Sequence, residues 1–321
     1  MRIFLIAGTL AAAAALVMLA QQPPSRPVEL HTLHVQGNVY MITGDGGNVT
    51  VQTGSDGILM VDSGLAANAD LLLTEVRKLS KAPIHYLINT HVHPDHVGGN
   101  EKFFAAGSTI TGGNVTGDIG DAGVGTTIIG HEGVLNRMSA PTGTQSAFPQ
   151  RAWPSDTYFT KEKKMFFNGE AIEIQHIAAA HTDGDSLVFF RRSDVISAGD
   201  LYVTTSYPII DLARGGNIQG ILDAMNRMID ICEPADKQEG GTYVIPGHGR
   251  VTDQADLVEY RDMITIIRDR IADGVKKGLT LDQVKETQPT LDYDPVYNKP
   301  GAFWKADQFI EAVYKSLSVK K

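Results

Sequence analysis

Along this chain, apolar positions come in short alternating runs, and most of these runs end at a turn signal. Leu33 to Asp62 reads as successive short strands, divided at Gln36-Gly37-Asn38, Gly44-Asp45-Gly46-Gly47 and Gly54-Ser55-Asp56-Gly57. The period then changes: Leu71, Leu72, Val76 and Leu79 fall at helical spacing within Ala67 to Leu79. Ile84 to Asn89 is a short buried strand, Thr126 to His131 is strand-like, and Met165 to Phe190 supplies central strands. Asn217 is an N-cap for a helix over Ile218 to Ile231. A long helix starts near Asp253 and runs to about Ala272, Thr280 caps another, and Trp304 to Leu317 closes the chain as an amphipathic helix.

Three segments do not fit this alternation. Met1-Arg2 is a short basic start, Ile3 to Ala20 is almost wholly apolar, and Gln21 to Pro27 reads as a spacer. Residues 1–20 therefore read as a secretory signal, with retention as an N-terminal membrane anchor as the alternative. Residues 21–32 are then expected to be a flexible linker, and residues 33–321 a single folded domain, exported to the periplasm or secreted. Residues 107–125 are Gly-rich without helical period, readable as a flap or hairpin or as an ordinary surface insertion. Pro141 to Pro154 is a second loop whose Phe148 and Trp153 either wall a pocket or anchor the loop to the core.

Composition narrows the class. The 321 residues with 42% hydrophobic content can bury one large core, and the net charge is −9 with no dense Lys/Arg cluster. A polyanionic partner would want a basic surface, so nucleic acid is disfavoured and a small-molecule substrate expected. Cys232 is the only cysteine, which excludes an intrachain disulfide and suits packing at a helix end.

The densest chemistry lies in Thr90-His91-Val92-His93-Pro94-Asp95-His96-Val97-Gly98-Gly99-Asn100. Three histidines and an aspartate within six residues must be solvated, paired or metal-bound. His91 and His93 alternate, so an extended backbone points both one way; Pro94 then turns the chain. One loop can thus serve two adjacent metals, His91 and His93 one, Asp95 and His96 the other. Further donors follow other strands: His181 within Ala180-His181-Thr182-Asp183-Gly184-Asp185-Ser186, Asp200 after Val195 to Gly199, and His248 after Tyr243 to Gly247.

With Met60-Val61-Asp62-Ser63-Gly64, these motifs stand in the order of the metallo-β-lactamase-fold hydrolase superfamily, which the chain resembles from about Val39 to Val251. The resemblance extends most closely to an exported, lactamase-related group, with which it shares His181 to Ser186 and the tail segments Leu279 to Val284 and Asp292 to Pro295. It implies an α/β fold, a four-layer αββα sandwich in a single domain, with a dinuclear site at one sheet edge. It assigns His91, His93 and His181 to the first metal, Asp95, His96 and His248 to the second, Asp200 as the bridging carboxylate, and Asp62 as the buried acid that orients a ligand. Imidazole and carboxylate donors suit two zinc ions, with manganese or iron as alternatives. Two ions about 3.5–4 Å apart share a hydroxide nucleophile, which Asp95 orients and whose proton it relays.

The substrate expected is a cyclic amide or ester, with β-lactams as the named case. A lactonase or thioesterase of the same fold is the alternative. A mononuclear-iron sulfur dioxygenase is also open, because such enzymes keep the His-x-His-x-Asp-His run. Antibiotic-hydrolysing relatives carry Cys or Ser where this chain has Asp200, and quorum-lactone hydrolases carry a Tyr where it has Val203, with Tyr202 one residue earlier. His131, Tyr202, Tyr207 and Asn217 are candidates for contacts to the substrate or its leaving group. Oligomeric state is not legible.

Overall fold

The computed structural model describes residues 28–110, 124–141, 147–238 and 240–318. The apolar run at 1–20 and the spacer at 21–27 lie outside these residues. Among the described residues, no helix is long and apolar enough to cross a membrane.

Seven strands make the first sheet in chain order: β1 (His31–Gln36), β2 (Val39–Thr43), β3 (Val49–Gly54), β4 (Gly57–Val61), β5 (Ile84–Ile88), β6 (Thr127–His131) and β7 (Asp156–Tyr158). The first four form an antiparallel meander, and β4 to β7 run parallel. The second sheet has the order β12-β11-β10-β9-β8. Its strands are β8 (Glu162–Phe167), β9 (Glu170–His176), β10 (Ser186–Phe190), β11 (Val195–Ser197) and β12 (Tyr243–Ile245), antiparallel except for β11 with β12. The helices are α1 (Ala69–Leu79), α2 (Pro94–Val97), α3 (Asn100–Ala106), α4 (Glu132–Met138), α5 (Ile218–Ile231), α6 (Gln254–Lys276), α7 (Leu281–Glu286), α8 (Asp294–Tyr297) and α9 (Ala306–Ser318).

Side-chain alternation builds the layers. On β4, Leu59 and Val61 face the second sheet, whereas Ile58 and Met60 face outward onto Leu72 and Val76 of α1 and Phe103 of α3. On β10, Val188 and Phe190 join the inter-sheet core, whereas Leu187 and Phe189 face the cluster formed by α5, α6 and α9. Both sheets are therefore apolar on both faces and sit between helices, which is the αββα sandwich expected.

Local signals explain most boundaries. Asn217 accepts from Gln219 N (2.8 Å) at the start of α5, and Asp253 accepts from Asp256 N (3.1 Å) at the start of α6. Thr280 and Gln283 form a capping box on α7. Three boundaries differ from expectation. β1 begins at His31, inside the segment read as linker; α6 runs on to Lys276; and α9 begins at Ala306, leaving Phe303 and Trp304 outside the helix. Cys232 is buried at the end of α5, as packing requires.

Two loop questions receive structural answers. Phe148 and Trp153 pack against Val92, Val97, Val134 and Met138, so they anchor their loop beneath the histidine run, and neither lines the cleft described below. The Gly-rich insertion is closed at its base by the Ser108–Val124 bridge, and Ser108 N donates to Ile84 O (3.1 Å). That base sits at the start of β5, opposite the end that carries the histidines; residues 111–123 lie outside the described residues.

Candidate metal centre

The chain leaves β4, β5, β11 and β12 at one edge of the sandwich. Asn48 ties the two sheets there: its N donates to Gly247 O (2.7 Å) and its Nδ2 to Pro246 O (2.9 Å). After β5 the chain bends at Thr90 and is extended at His93, and Pro94 then opens the single turn of α2, which carries Asp95 and His96. Close contacts seat this turn on the segment after β4: Gly99 N donates to Gly64 O (3.1 Å), and a Cβ on Gly98 or Gly99 would overlap that backbone.

All seven predicted donors meet here. His91, His93, His181 and Asp200 form one group, Asp95, His96 and His248 another, and within each group the candidate ligand atoms lie within 4.8 Å of one another. Asp200 lies between the groups. Its Oδ2 is 3.6 Å from His181 Nε2, and its Oδ1 is 3.1 Å from His96 Nε2 and 3.5 Å from His248 Nε2. Asp95 Oδ2 is 3.2 Å from His248 Nε2 and 3.7 Å from His96 Nε2.

The outer nitrogens of four histidines are held by the fold. His96 Nδ1 donates to Asp62 Oδ2 (2.8 Å), and His181 Nδ1 donates to Ile209 O (2.7 Å). His91 Nδ1 meets Thr90 Oγ1 (3.0 Å), which itself donates to Asp62 Oδ2 (2.7 Å). His93 Nε2 donates to Asp211 Oδ2 (2.9 Å), a carboxylate that also accepts from Arg214 Nη1 (2.6 Å). The opposite nitrogens converge: His93 Nδ1 and His181 Nε2 are 2.8 Å apart, and His96 Nε2 and His248 Nε2 are 3.4 Å apart.

This arrangement fits divalent metal ions. His91 Nε2 and Asp200 Oδ1 are buried without a hydrogen-bond partner, which is costly unless a ligand takes their lone pairs. Fixing one imidazole nitrogen with an acceptor is how a protein presents the other to a metal. The space is also guarded, since a Cβ on Gly247 would overlap Asp200 Oδ1 and one on Gly47 the His96 ring. Burial, with His96 and His181 beside it, holds the His91 pKa well below the usual imidazole value; burial lowers that of His181 to about 4. Both therefore keep a lone pair at neutral pH. Burial disfavours the Asp200 carboxylate, but His96, His248 and His181 outweigh it and hold its pKa well below the ordinary range. The same contest, with His248 and His96 prevailing, brings Asp95 down to about 2.

Asp62 lies beside the second group. It is buried, adopts φ 63°, and accepts from Thr90 N (2.8 Å), Thr90 Oγ1 and His96. Sequence reasoning missed Asp211 and Thr90. Thr90 adjoins the histidine run and could have been noticed; Asp211 lies 118 residues from His93 in a segment without a motif.

A cleft of about 920 Å³ opens over the cluster. None of the four candidate contact residues lines it. His131 caps α4, accepting from Gly133 N (3.2 Å), and stacks on His176 at 3.6 Å. Tyr202 is buried against Tyr260; the chain is extended here, so its neighbour Val203 takes the place at the cleft. Tyr207 is fully buried, donates to Asp294 Oδ1 (2.8 Å) and stacks on Phe309. Asn217 caps α5. Each of these polar side chains is committed to the fold.

Residues 35–248 match the model of the metallo-beta-lactamase superfamily, and the chain belongs to that superfamily. Among solved structures it is similar to a sec-alkylsulfatase from Pseudomonas sp. (TM-score 0.63, 16% identity, 89% of this chain and 50% of that one). It therefore spans about half the length of the sulfatase. It is also similar to a metallo-beta-lactamase from Pontibacter korlensis (TM-score 0.54, 16% identity, 74% of this chain and 99% of that one). The DIM-1 metallo-beta-lactamase gives TM-score 0.52 and 16% identity over 74% of this chain and 98% of that one. A search of curated protein sequences finds no match.

Proposed function

We propose that the chain is a dinuclear, zinc-dependent hydrolase that opens a cyclic amide or ester, β-lactams being the first case to test. The observation that carries this reading is the pair of converging donor groups joined by Asp200, with His91 Nε2 and Asp200 Oδ1 buried and unpartnered. His91, His93 and His181 would hold one ion, Asp95, His96 and His248 the other, with Asp200 shared. Bound there, the ions would supply Lewis acidity and a water acidic enough to act as nucleophile near neutral pH.

The chain's own groups orient and move protons. Asp95, ionised at neutral pH and about 31% exposed at its side chain, faces both the cluster and the cleft; it accepts the proton of the attacking water and returns it to the leaving group. Val203, Ile209 and Ile210 line the cleft and exclude water from one side of the site. The apolar run of residues 1–20 supports an exported enzyme, cleaved or anchored.

The test is turnover by the zinc-loaded protein of a chromogenic cephalosporin, a γ-lactone, a thioester and an alkyl sulfate, with and without chelator. The expected result is hydrolysis of a cyclic amide or ester that chelator abolishes and zinc restores. Asp95→Asn, assayed at saturating zinc with bound metal measured alongside, should lower kcat about 10²–10⁴-fold. Turnover that survives complete metal removal would refute the reading. One bound iron with persulfide-dependent oxygen uptake would instead support the dioxygenase alternative.

A further inference from the structure

The cleft extends well beyond the donor cluster, and its far wall comes from a part of the chain outside the family match at residues 35–248. At one end lie His93, Asp95, Asp200 and His248. The rest of the lining comes from two segments, one with Ile209, Ile210 and Leu212, the other with Ala302, Phe303 and Trp304 and residues of α9. Phe303 is 89% exposed, more than any other large apolar side chain among the described residues, and Leu212 is also exposed. Contiguous apolar side chains left bare at the mouth of a concave site mark a ligand groove. The charges on the α9 face answer one another, Lys315 Nζ donating to Glu311 Oε1 (2.6 Å), and so require no charged occupant.

We propose that this cleft binds a substrate carrying an unbranched hydrocarbon chain, with the bond to be hydrolysed at the donor cluster and the chain laid between Leu212 and Phe303. The occupant is an acyl or alkyl chain because the groove is continuous with the cluster, carries apolar side chains from both segments, Ile209, Ile210 and Leu212 from one and Ala302, Phe303 and Trp304 from the other, and is self-neutralised at its end. Hydrolysis adds water across the cleaved bond: the water oxygen goes to the acyl carbon, and the released oxygen or nitrogen takes a proton, staying tethered where the bond lies in a ring. This inference rests on the proposed hydrolase reading for its reaction, though not for its binding site.

The experiment has two readouts on the full zinc-loaded chain. The first is kcat/KM for 4-nitrophenyl esters from acetate to octanoate. It should rise about threefold per added methylene, as burial of hydrocarbon in a partly open cleft allows, with most of the change in KM. Phe303→Ala should lower the octanoate-to-acetate ratio at least tenfold. The second readout needs no turnover. Trp304 lies in the cleft wall, whereas Trp153 Nε1 is held by Phe148 O (2.8 Å) in another cluster. In Trp153→Phe, fluorescence should respond saturably to octanoate or octyl sulfate and not to acetate or inorganic sulfate. The two octyl anions separate carboxylate from sulfate headgroups. If that variant does not fold, the wild type gives the same comparison. Chain-dependent fluorescence without ester turnover would support the cleft while removing ester hydrolysis. Equal kcat/KM along the series, with no chain-dependent fluorescence, would overturn the proposal.

Discussion

Each first-group histidine, and His96 in the second, presents one nitrogen inward because something outside the cluster holds the other. Asp211 does this for His93, and Arg214 in turn holds Asp211; burial disfavours that carboxylate, but His93 and Arg214 keep it ionised. Asp211→Ala should therefore weaken zinc binding about 10–100-fold, the usual cost of losing such an outer partner. A competition titration with a chromogenic chelator would measure it, and unchanged affinity would show that His93 is placed by packing alone. At this scale the sequence was informative where residues cluster and silent where they do not. His91, His93, Asp95 and His96 are read from one run, whereas Asp211 reaches the site only through the tertiary fold. The four candidate contact residues misled because a polar side chain near a strand or helix end is as useful for capping or core hydrogen bonding as for substrate.

Among the elements, the meeting of β6, β9 and α4 carries an acid-sensitive device separate from the cluster. His131 caps α4 and stacks on His176 with rings 3.6 Å apart and nearly parallel. Burial, with His176 beside it, lowers the His131 pKa to about 4, and burial lowers that of His176 as well. A depressed folded-state pKa means that the unfolded chain takes up protons first. Stability from this pair is therefore present above about pH 6.5 and is lost as pH falls toward 4. In His131→Asn, which keeps an acceptor for the cap, the melting temperature should fall less steeply from pH 7 to 4 than in the wild type. Parallel slopes would place the acid sensitivity elsewhere. The periodicity that located β5, α1 and α5 could not foresee this pair, because it reports which positions face inward and not which faces of different elements meet. It missed the start of α9 for a similar reason. Trp304 has the apolar character of a helix face but serves the cleft wall from outside the helix.

In the whole molecule, two sheets bury apolar side chains on both faces, so the sandwich can form without a metal. The donor cluster at its edge nevertheless leaves buried polar atoms unpartnered, and ions bound there should stabilise the fold. At a free concentration about 1,000 times Kd, the gain would be about 4 kcal/mol. The four layers were legible because the motif order identified the superfamily, although strand pattern alone does not say which sheets stack. The part beyond the family match, from Gly249 onward, supplies α6 to α9 and part of the cleft lining, and there caps and periods were legible but a role was not. A dinuclear site joined by Asp200 is tested by a zinc titration of metal-free protein, following bound metal and melting temperature together. Two ions should bind per chain, with a rise in melting temperature as they bind, and both effects should be lost on replacing Asp200 with Ala. A protein that binds no zinc, or whose binding and melting are indifferent to Asp200→Ala, would contradict it.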